Sequence, residues 1–422
     1  MKLLKLLLVP TLLLSITTMY AQKYVGGDIS MLPKYEQANV VYKDKAGNTV
    51  KDVIAFFKQE GLNTMRVRLF VDPSKDNDKA VCQDLAFVKT LGKRIKDAGL
   101  YVLLDFHYSD TWADPSKQWT PDDWKSLNDD QLMSKIYEYT KDCLQQLKEA
   151  GATPDFIQTG NEISYGMLWG TKAAADGNNT NRCYTNSPTA NWTRFINLLK
   201  EAGKACREVC PNAKIILHSE RTYAPAVLTD FFDRMKSASV DYDIIGLSYY
   251  PAHHHDLAAL EKALKALEDK NYGKKIWIVE TGYSYAWPIN GDEKTGKEKE
   301  FDYTSTYPYT EEGQRQFTAD LITMLNKHSD VNGLLWWWPE DNGNKNVTDN
   351  WWNAALYNHS TGKPYAAFYE LKNFDAGTSG IQSVQKISAE DDYWYTIDGR
   401  RLNNAPSSKG IYIYQQKKVI VR

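Results

Sequence analysis

The strongest constraint on this chain is a repeated alternation in its hydrophobic pattern. Eight times between residues 24 and 372, a short apolar run with strand character is followed by a segment of helical character. The strand-like runs are 24–29, 63–70, 100–106, 155–160, 213–218, 243–249, 275–279 and 333–337. The helical segments are 50–59, 84–98, 130–150, 192–209, 223–237, 256–269, 311–327 and 363–372. This alternation is the signature of a βα-repeat fold. The run 100–106 is densely apolar, as a strand covered on both sides requires. Helical segments stop at Gly61, Gly99 and Gly151, a residue suited to the left-handed backbone that follows a helix. Eight strand–helix pairs is the number that closes a (β/α)8 TIM barrel, and about 350 residues suits one with enlarged loops. An open doubly wound sheet is the alternative, but no G-x-G-x-x-G turn follows the first strand.

The ends of the chain differ from this middle. Residues 1–21 read as an export signal: Lys2 and Lys5 lead an apolar run over 6–16, and Met19-Tyr20-Ala21 offers a cleavage site. The run is short for a membrane span, and no later one is expected. No cysteine follows it to accept a lipid. The expected location is periplasmic, cell-surface or secreted. Residues 22–374 form the barrel, and 375–422 read as a small β-rich module with turns at Asp398-Gly399 and Lys409-Gly410. Tyr395 to Arg401 and Lys409 to Tyr412 are similar to C-terminal appendages of exported proteins of the Bacteroides group, which implies either sorting or a passive tail. The five cysteines are odd in number, fit no zinc or redox spacing, and are expected to be structural.

With 51 basic and 53 acidic residues the charges are mixed and nearly balanced, so neither nucleic acid nor an anionic membrane is an expected partner. A monomer is expected. The 13 tryptophans and 27 tyrosines, several at strand ends, suit a cleft that stacks on sugar rings.

Two strands end in glutamate: 155–160 leads to Asn161-Glu162, and 275–279 leads to Glu280. Most glutamates are merely solvated charges. Two at the ends of apolar strands, on the rim where such barrels build active sites, match the paired carboxylates of glycoside hydrolysis. Asn161 supplies an amide for a sugar hydroxyl. Arg66 and Arg68 share one face of the second strand, where an interior cation needs a carboxylate partner. The segment after the third strand, Asp105-Phe106-His107-Tyr108-Ser109-Asp110-Thr111-Trp112-Ala113-Asp114-Pro115, reads as a sugar-binding wall, with a polar loop as the plain alternative. His218 ends the fifth strand, Tyr249-Tyr250 the sixth, and Trp336-Trp337-Trp338 the eighth. His253-His254-His255 invites a metal reading, yet consecutive residues do not converge easily on one ion.

These residues together resemble the endo-β-1,4-galactanases of glycoside hydrolase family 53, in clan A. The likeness rests on Gly27-Asp28-Ile29-Ser30, on the run from Gly61 to Arg68, on His107 to Pro115, and on Gly160-Asn161-Glu162-Ile163 with Gly166 to Trp169. It implies cleavage of β-1,4-galactan with retention, Glu162 as acid/base and Glu280 as nucleophile. It also implies that Arg66, His107, Asn161, His218, Tyr250 and Trp337 surround the reacting galactose, with Asp110, Trp112 and Asp114 on the wall beside it. The chain departs from some members in carrying Trp338-Pro339-Glu340 after Trp337 and Ser219-Glu220 after His218. No cofactor is required. Structural calcium is a candidate at Asp292, Glu293, Glu298, Glu300 and Asp302, which offer the oxygen ligands it prefers.

Overall fold

The computed structural model of the protein describes residues 22–171, 181–286, 302–348 and 351–374, with parts of 394–421. The leader expected at 1–21 lies outside the described residues. Eight parallel strands close into a barrel in chain order: β1 (Tyr24–Asp28), β2 (Thr64–Leu69), β3 (Tyr101–Phe106), β4 (Phe156–Thr159), β5 (Lys214–Ser219), β6 (Ile244–Tyr249), β7 (Lys275–Thr281) and β8 (Val331–Trp337). Each is followed by a helix: α1 (Val53–Gln59), α2 (Leu85–Asp97), α3 (Asp129–Glu149), α4 (Thr189–Val209), α5 (Pro225–Ser237), α6 (Leu257–Lys270), α7 (Glu311–Leu325) and α8 (Ala366–Glu370). The expected barrel is therefore present. Two strand boundaries are corrected by two residues each: β7 runs on through Glu280 to Thr281, and β8 begins at Val331 rather than at 333.

Local chemistry sets the helix ends. Asp84, Asp256 and Thr310 each accept a first-turn backbone N–H, and Asn128 with Gln131 forms a capping box. Gly61, Gly99 and Gly151 take φ of 99°, 71° and 75°. The next residue then donates back into the helix, from Leu62 to Phe57 at 3.0 Å, Leu100 to Ile95 at 3.2 Å and Ala152 to Leu147 at 2.8 Å.

The barrel interior is apolar toward the strand starts and polar toward their ends. The apolar part is Leu103, Phe156, Ile216, Ile244, Trp277, Val279 and Leu335, with Tyr24 and Tyr101 packed against it. Trp277 fills the centre, 4.5 Å from the Phe156 ring and 4.9 Å from Tyr24. It fits because Gly333 opposes it: a Cβ there would lie 2.1 Å from the indole. Above this plug sit Asp28, Arg66, Arg68, Asp105, Gln158 and His218, all fully buried.

The chain divides into two compact units, Met1–Ala376 and Gly377–Arg422. In the second, four antiparallel strands, β9 (Trp394–Thr396), β10 (Arg401–Leu402), β11 (Gly410–Tyr414) and β12 (Lys417–Val421), pair in the order β10-β9-β11-β12. Trp394 stacks on Tyr414 at 4.6 Å.

The loop after β8 buries two carboxyl groups outside the polar layer. Glu340 Oε1 accepts from Met31 N at 3.0 Å, and Asp341 Oδ1 accepts from Gly343 N at 2.6 Å. Burial pushes Glu340 well above the carboxylate range and Asp341 from 3.8 up to about 7. The folded state thus holds protons that the unfolded chain releases. The stability this contributes is complete below the unfolded pKa and is lost as pH rises through the folded one. We expect Asp341→Asn to reduce the fall in Tm between about pH 4 and pH 7, measured by calorimetry. An identical fall in both proteins would contradict this.

Candidate active site

The polar layer is built by strand register. Asp28 on β1 pairs with Arg66 on β2, Arg68 pairs with Asp105 on β3, and Asp105 pairs with Gln158 on β4. Arg66 is the hub. Its Nη1 donates to Asp28 Oδ2 at 3.1 Å, and its Nη2 donates to Asp105 Oδ2 at 2.7 Å and to Asn161 Oδ1 at 2.8 Å. Those bonds use both Nη2 hydrogens, so Glu280 Oε1, 2.8 Å away, meets the guanidinium as an ion pair without an aligned hydrogen bond. Arg68 donates to Asp28 Oδ1 at 2.7 Å. Its guanidinium lies 4.8, 4.9 and 5.3 Å from the rings of Trp112, Trp337 and Trp338. Cations with no water around them need such partners.

Glu280 owes its direction to an irregularity. Leu247 pairs with Ile278 but Ser248 pairs with Glu280, so β7 carries one extra residue there. Val279 packs in the apolar interior while its neighbour Glu280 also reaches Arg66, which strict alternation would forbid. Tyr250 Oη donates to Glu280 Oε2 at 3.0 Å. Across the rim, Glu162 has left-handed backbone, φ 47°. A residue with a Cβ pays conformational energy there, and such strain concentrates at functional sites. Its N–H meets His218 Nδ1 at 3.2 Å, and its Oε1 accepts from Ser248 Oγ at 2.6 Å.

Electrostatics tell the two glutamates apart. Burial pushes Glu162 up, and the carboxylates of Glu280, Glu220 and Asp114 push it further, against one hydrogen bond from Ser248. Burial also raises Glu280, up to about 7, with Asp105 and Asp28 adding to the rise, but Arg66 and the Tyr250 hydroxyl act against it. The cation and the phenol act on one member of the pair. When a single proton is shared, it resides on Glu162 and the charge on Glu280. Asp105 is held below the ordinary carboxylate range because Arg66 and His107 outweigh its burial. Burial lowers the pKa of His107 and His218, leaving both imidazoles neutral.

The structure gathers most of the sequence-predicted residues around these carboxylates. Asn161 spans the site: its Oδ1 takes Arg66, and its Nδ2 donates to Ala113 O at 2.8 Å. His107 Nδ1 accepts from Ala113 N at 3.0 Å while its Nε2 lies 3.1 Å from Asp105 Oδ2. Trp112 is 6.0 Å from Trp337 and donates to Asp78 Oδ2 at 2.9 Å. Asp114 sits close enough to Glu162 to raise it, yet its Oδ1 is engaged by Ser116 and Lys117. Asp110 is tied into its own loop, accepting from Asp122 N at 2.8 Å, and among the described residues no contact joins it to either glutamate.

The two departures noted in the sequence have different fates. Glu340 is buried against Met31, where Asp28 of the polar layer adds to its upward shift, and among the described residues no hydrogen bond or ion pair joins it to Glu162 or Glu280. Glu220 is buried beside the site, held by Ser164 Oγ at 2.5 Å and Arg221 Nε at 2.8 Å. The triple histidine builds no metal cluster among the described residues; His254 Nδ1 accepts from Tyr250 N at 3.0 Å. Asp292, Glu293, Glu298 and Glu300 of the calcium expectation lie outside the described residues, and Asp302 accepts from Thr304 N at 2.8 Å.

Sequence reasoning missed Asp28, Gln158 and Ser248 as site residues. A signal for Ser248 existed, since it stands two positions before Tyr250 and shares its face by strand alternation.

Comparison with known proteins agrees with this geometry. Residues 24–368 match the model of "Glycosyl hydrolase family 53". An endo-beta-1,4-galactanase of Bacillus subtilis (strain 168) is 30% identical, over 74% of this chain and 69% of its own. An arabinogalactan endo-beta-1,4-galactanase of Thermothelomyces thermophilus is also 30% identical, over 81% of this chain and 96% of its own. The GH53 catalytic domain of Ignisphaera aggregans superposes with a TM-score of 0.72 at 29% identity, covering 83% of this chain and 95% of that one. A closed (β/α)8 barrel with two rim glutamates, matched over nearly its whole length, makes this chain a member of glycosyl hydrolase family 53.

Proposed function

We propose that the protein is an exported endo-β-1,4-galactanase that hydrolyses the galactan of type I arabinogalactan in pectin, with retention at the anomeric carbon. The observation that carries the chemistry is the asymmetry of the pair: Arg66 and Tyr250 serve Glu280, whereas Glu162 has only carboxylates and neutral donors around it. Glu280 attacks the anomeric carbon and forms a galactosyl–enzyme ester as Glu162 gives its proton to the departing sugar oxygen. Glu162, now a carboxylate, takes a proton from water, which attacks the same carbon and releases Glu280. Two carboxyl groups and water complete the cycle without a cofactor. The substrate reading is supported by the relatives named as galactanases.

Export is supported by Lys2, Lys5 and the apolar run over 6–16. We take the enzyme to act as a monomer. Structural calcium stays a candidate for the 283–309 loop, where it would serve stability and not the reaction.

The substrate is tested by reducing-end release from purified β-1,4-galactan, with xylan and mannan alongside. Release from galactan alone is expected. Release from xylan or mannan without galactan would reassign the substrate, and galactan binding with no release from any of the three would make the protein a binding module.

A further inference from the structure

Ser248 has no place in the proton transfers just described, yet it makes the shortest contact to Glu162. Its Oγ lies 2.6 Å from Glu162 Oε1 and 2.8 Å from His218 Nε2. The direction of this chain follows from the other side of the imidazole. His218 Nδ1 faces the backbone N–H of Glu162 at 3.2 Å and Gln158 Nε2 at 2.9 Å. A backbone N–H can only donate, so Nδ1 carries the lone pair and Nε2 carries the hydrogen. Asn161 Oδ1, 3.1 Å from the same Nδ1, already receives Arg66 Nη2. With Nε2–H donating to it, the Ser248 hydroxyl is left with one use for its own hydrogen, which is to donate to Glu162 Oε1.

We propose that Ser248 is a positioning residue for the acid/base, a fixed donor that occupies Oε1 and so confines the transferable proton of Glu162 to Oε2. The proposal rests on reading Glu162 as the acid/base. Among the described residues Oε2 accepts no hydrogen bond, which leaves it for the leaving oxygen and later for water. Because the Nε2–H of His218 keeps the serine pointing one way, the same bond serves both halves of the reaction. In the first it fixes which oxygen is acidic. In the second it stabilises the carboxylate that must accept a proton from water, a charge-assisted bond of the stronger kind. The β6–β7 register shift that turns Glu280 inward also sets Ser248 directly opposite it, so one irregularity serves both carboxyl groups.

The groups facing Glu162 sharpen the consequence. Glu280 on β7, Glu220 after β5 and Asp114 after β3 all raise its pKa, His218 on β5 is neutral, and Ser248 lowers it. Removing the hydroxyl therefore moves Glu162 upward. The test is the pH–rate profile of full-length Ser248→Ala and Ser248→Thr, with β-1,4-galactan and with an activated aryl β-galactobioside whose turnover is limited by water attack. For the alanine variant we expect kcat to fall about tenfold, and the alkaline limb on galactan and the acid limb on the aryl substrate both to rise by about one pH unit. Threonine, which keeps a hydroxyl, should restore the wild-type limbs. Limbs unmoved in the alanine variant would overturn the proposal, as would equal losses in both variants with an unmoved profile, since mere packing would do that. Glu162→Gln run in parallel separates the two readings: its full activity would remove Glu162 as acid/base, whereas its inactivity beside a normal Ser248→Ala would remove only the role of Ser248.

Discussion

Glu280→Gln should abolish galactan hydrolysis while leaving the barrel folded and able to bind the polysaccharide. The amide is nearly isosteric and can still accept from Tyr250, whose hydroxyl lies 3.0 Å from Oε2 in the native protein. It cannot form the ester intermediate. Loss of roughly four orders of magnitude or more in kcat/KM is expected, about 5.5 kcal/mol of transition-state stabilisation. Stability should change little or improve, because the substitution removes a buried charge whose burial alone favours its neutral form. The same change also leaves Arg66 with one anion fewer, but Asp28 and Asp105 remain hydrogen-bonded to it at 3.1 and 2.7 Å. Reducing-end assays with calorimetry on the same preparation check both halves. Retained activity would remove Glu280 as nucleophile.

Glu162→Gln should behave differently, and the difference identifies its role. Protonation of the leaving oxygen matters most when the leaving group is a poor one, such as a sugar. We expect a loss of roughly 10²- to 10⁴-fold on galactan. On an aryl galactobioside with an acidic phenol the first step needs no acid, so the covalent intermediate should accumulate and appear as a burst of phenol. Azide, which needs no general base, should then restore turnover and yield a β-galactosyl azide. Equal losses on both substrates, with no burst, would contradict the assignment. The strained backbone at Glu162, φ 47°, also makes Glu162→Gly a poor control, since glycine relieves the strain that aims the carboxyl group.

How much of this was legible in the sequence depends on whether the information was local. The strand–helix alternation and the glycine stops were readable because periodicity and left-handed helix ends are written in neighbouring residues. Gly61, Gly99 and Gly151 close their helices in the expected manner. That Arg66 needs carboxylate partners was likewise readable from its place on an apolar strand, though not that it would bind Asp28, Asp105 and Glu280 at once. Glu280 itself was seen at a strand end. Its inward aim was not, because the register shift between β6 and β7 is a property of the pairing and leaves no mark on either strand alone. Asp110 and Trp112 illustrate the limit from the other side. Both belong to one short loop of mixed polar and aromatic residues, yet Trp112 joins the indoles over Arg68 while Asp110 ties its own loop to Asp122. Alternation gives no direction for loop side chains, so only the packing could separate them.

Double displacement with Glu280 as the covalent partner fixes the stereochemistry of the first product. Proton NMR of wild-type enzyme acting on β-1,4-galactan, read before mutarotation intervenes, should show the β-anomer of the new reducing end appearing first and the α-anomer growing only later. An α-anomer formed first would mean that water attacks in a single step, and would contradict the account given for both glutamates.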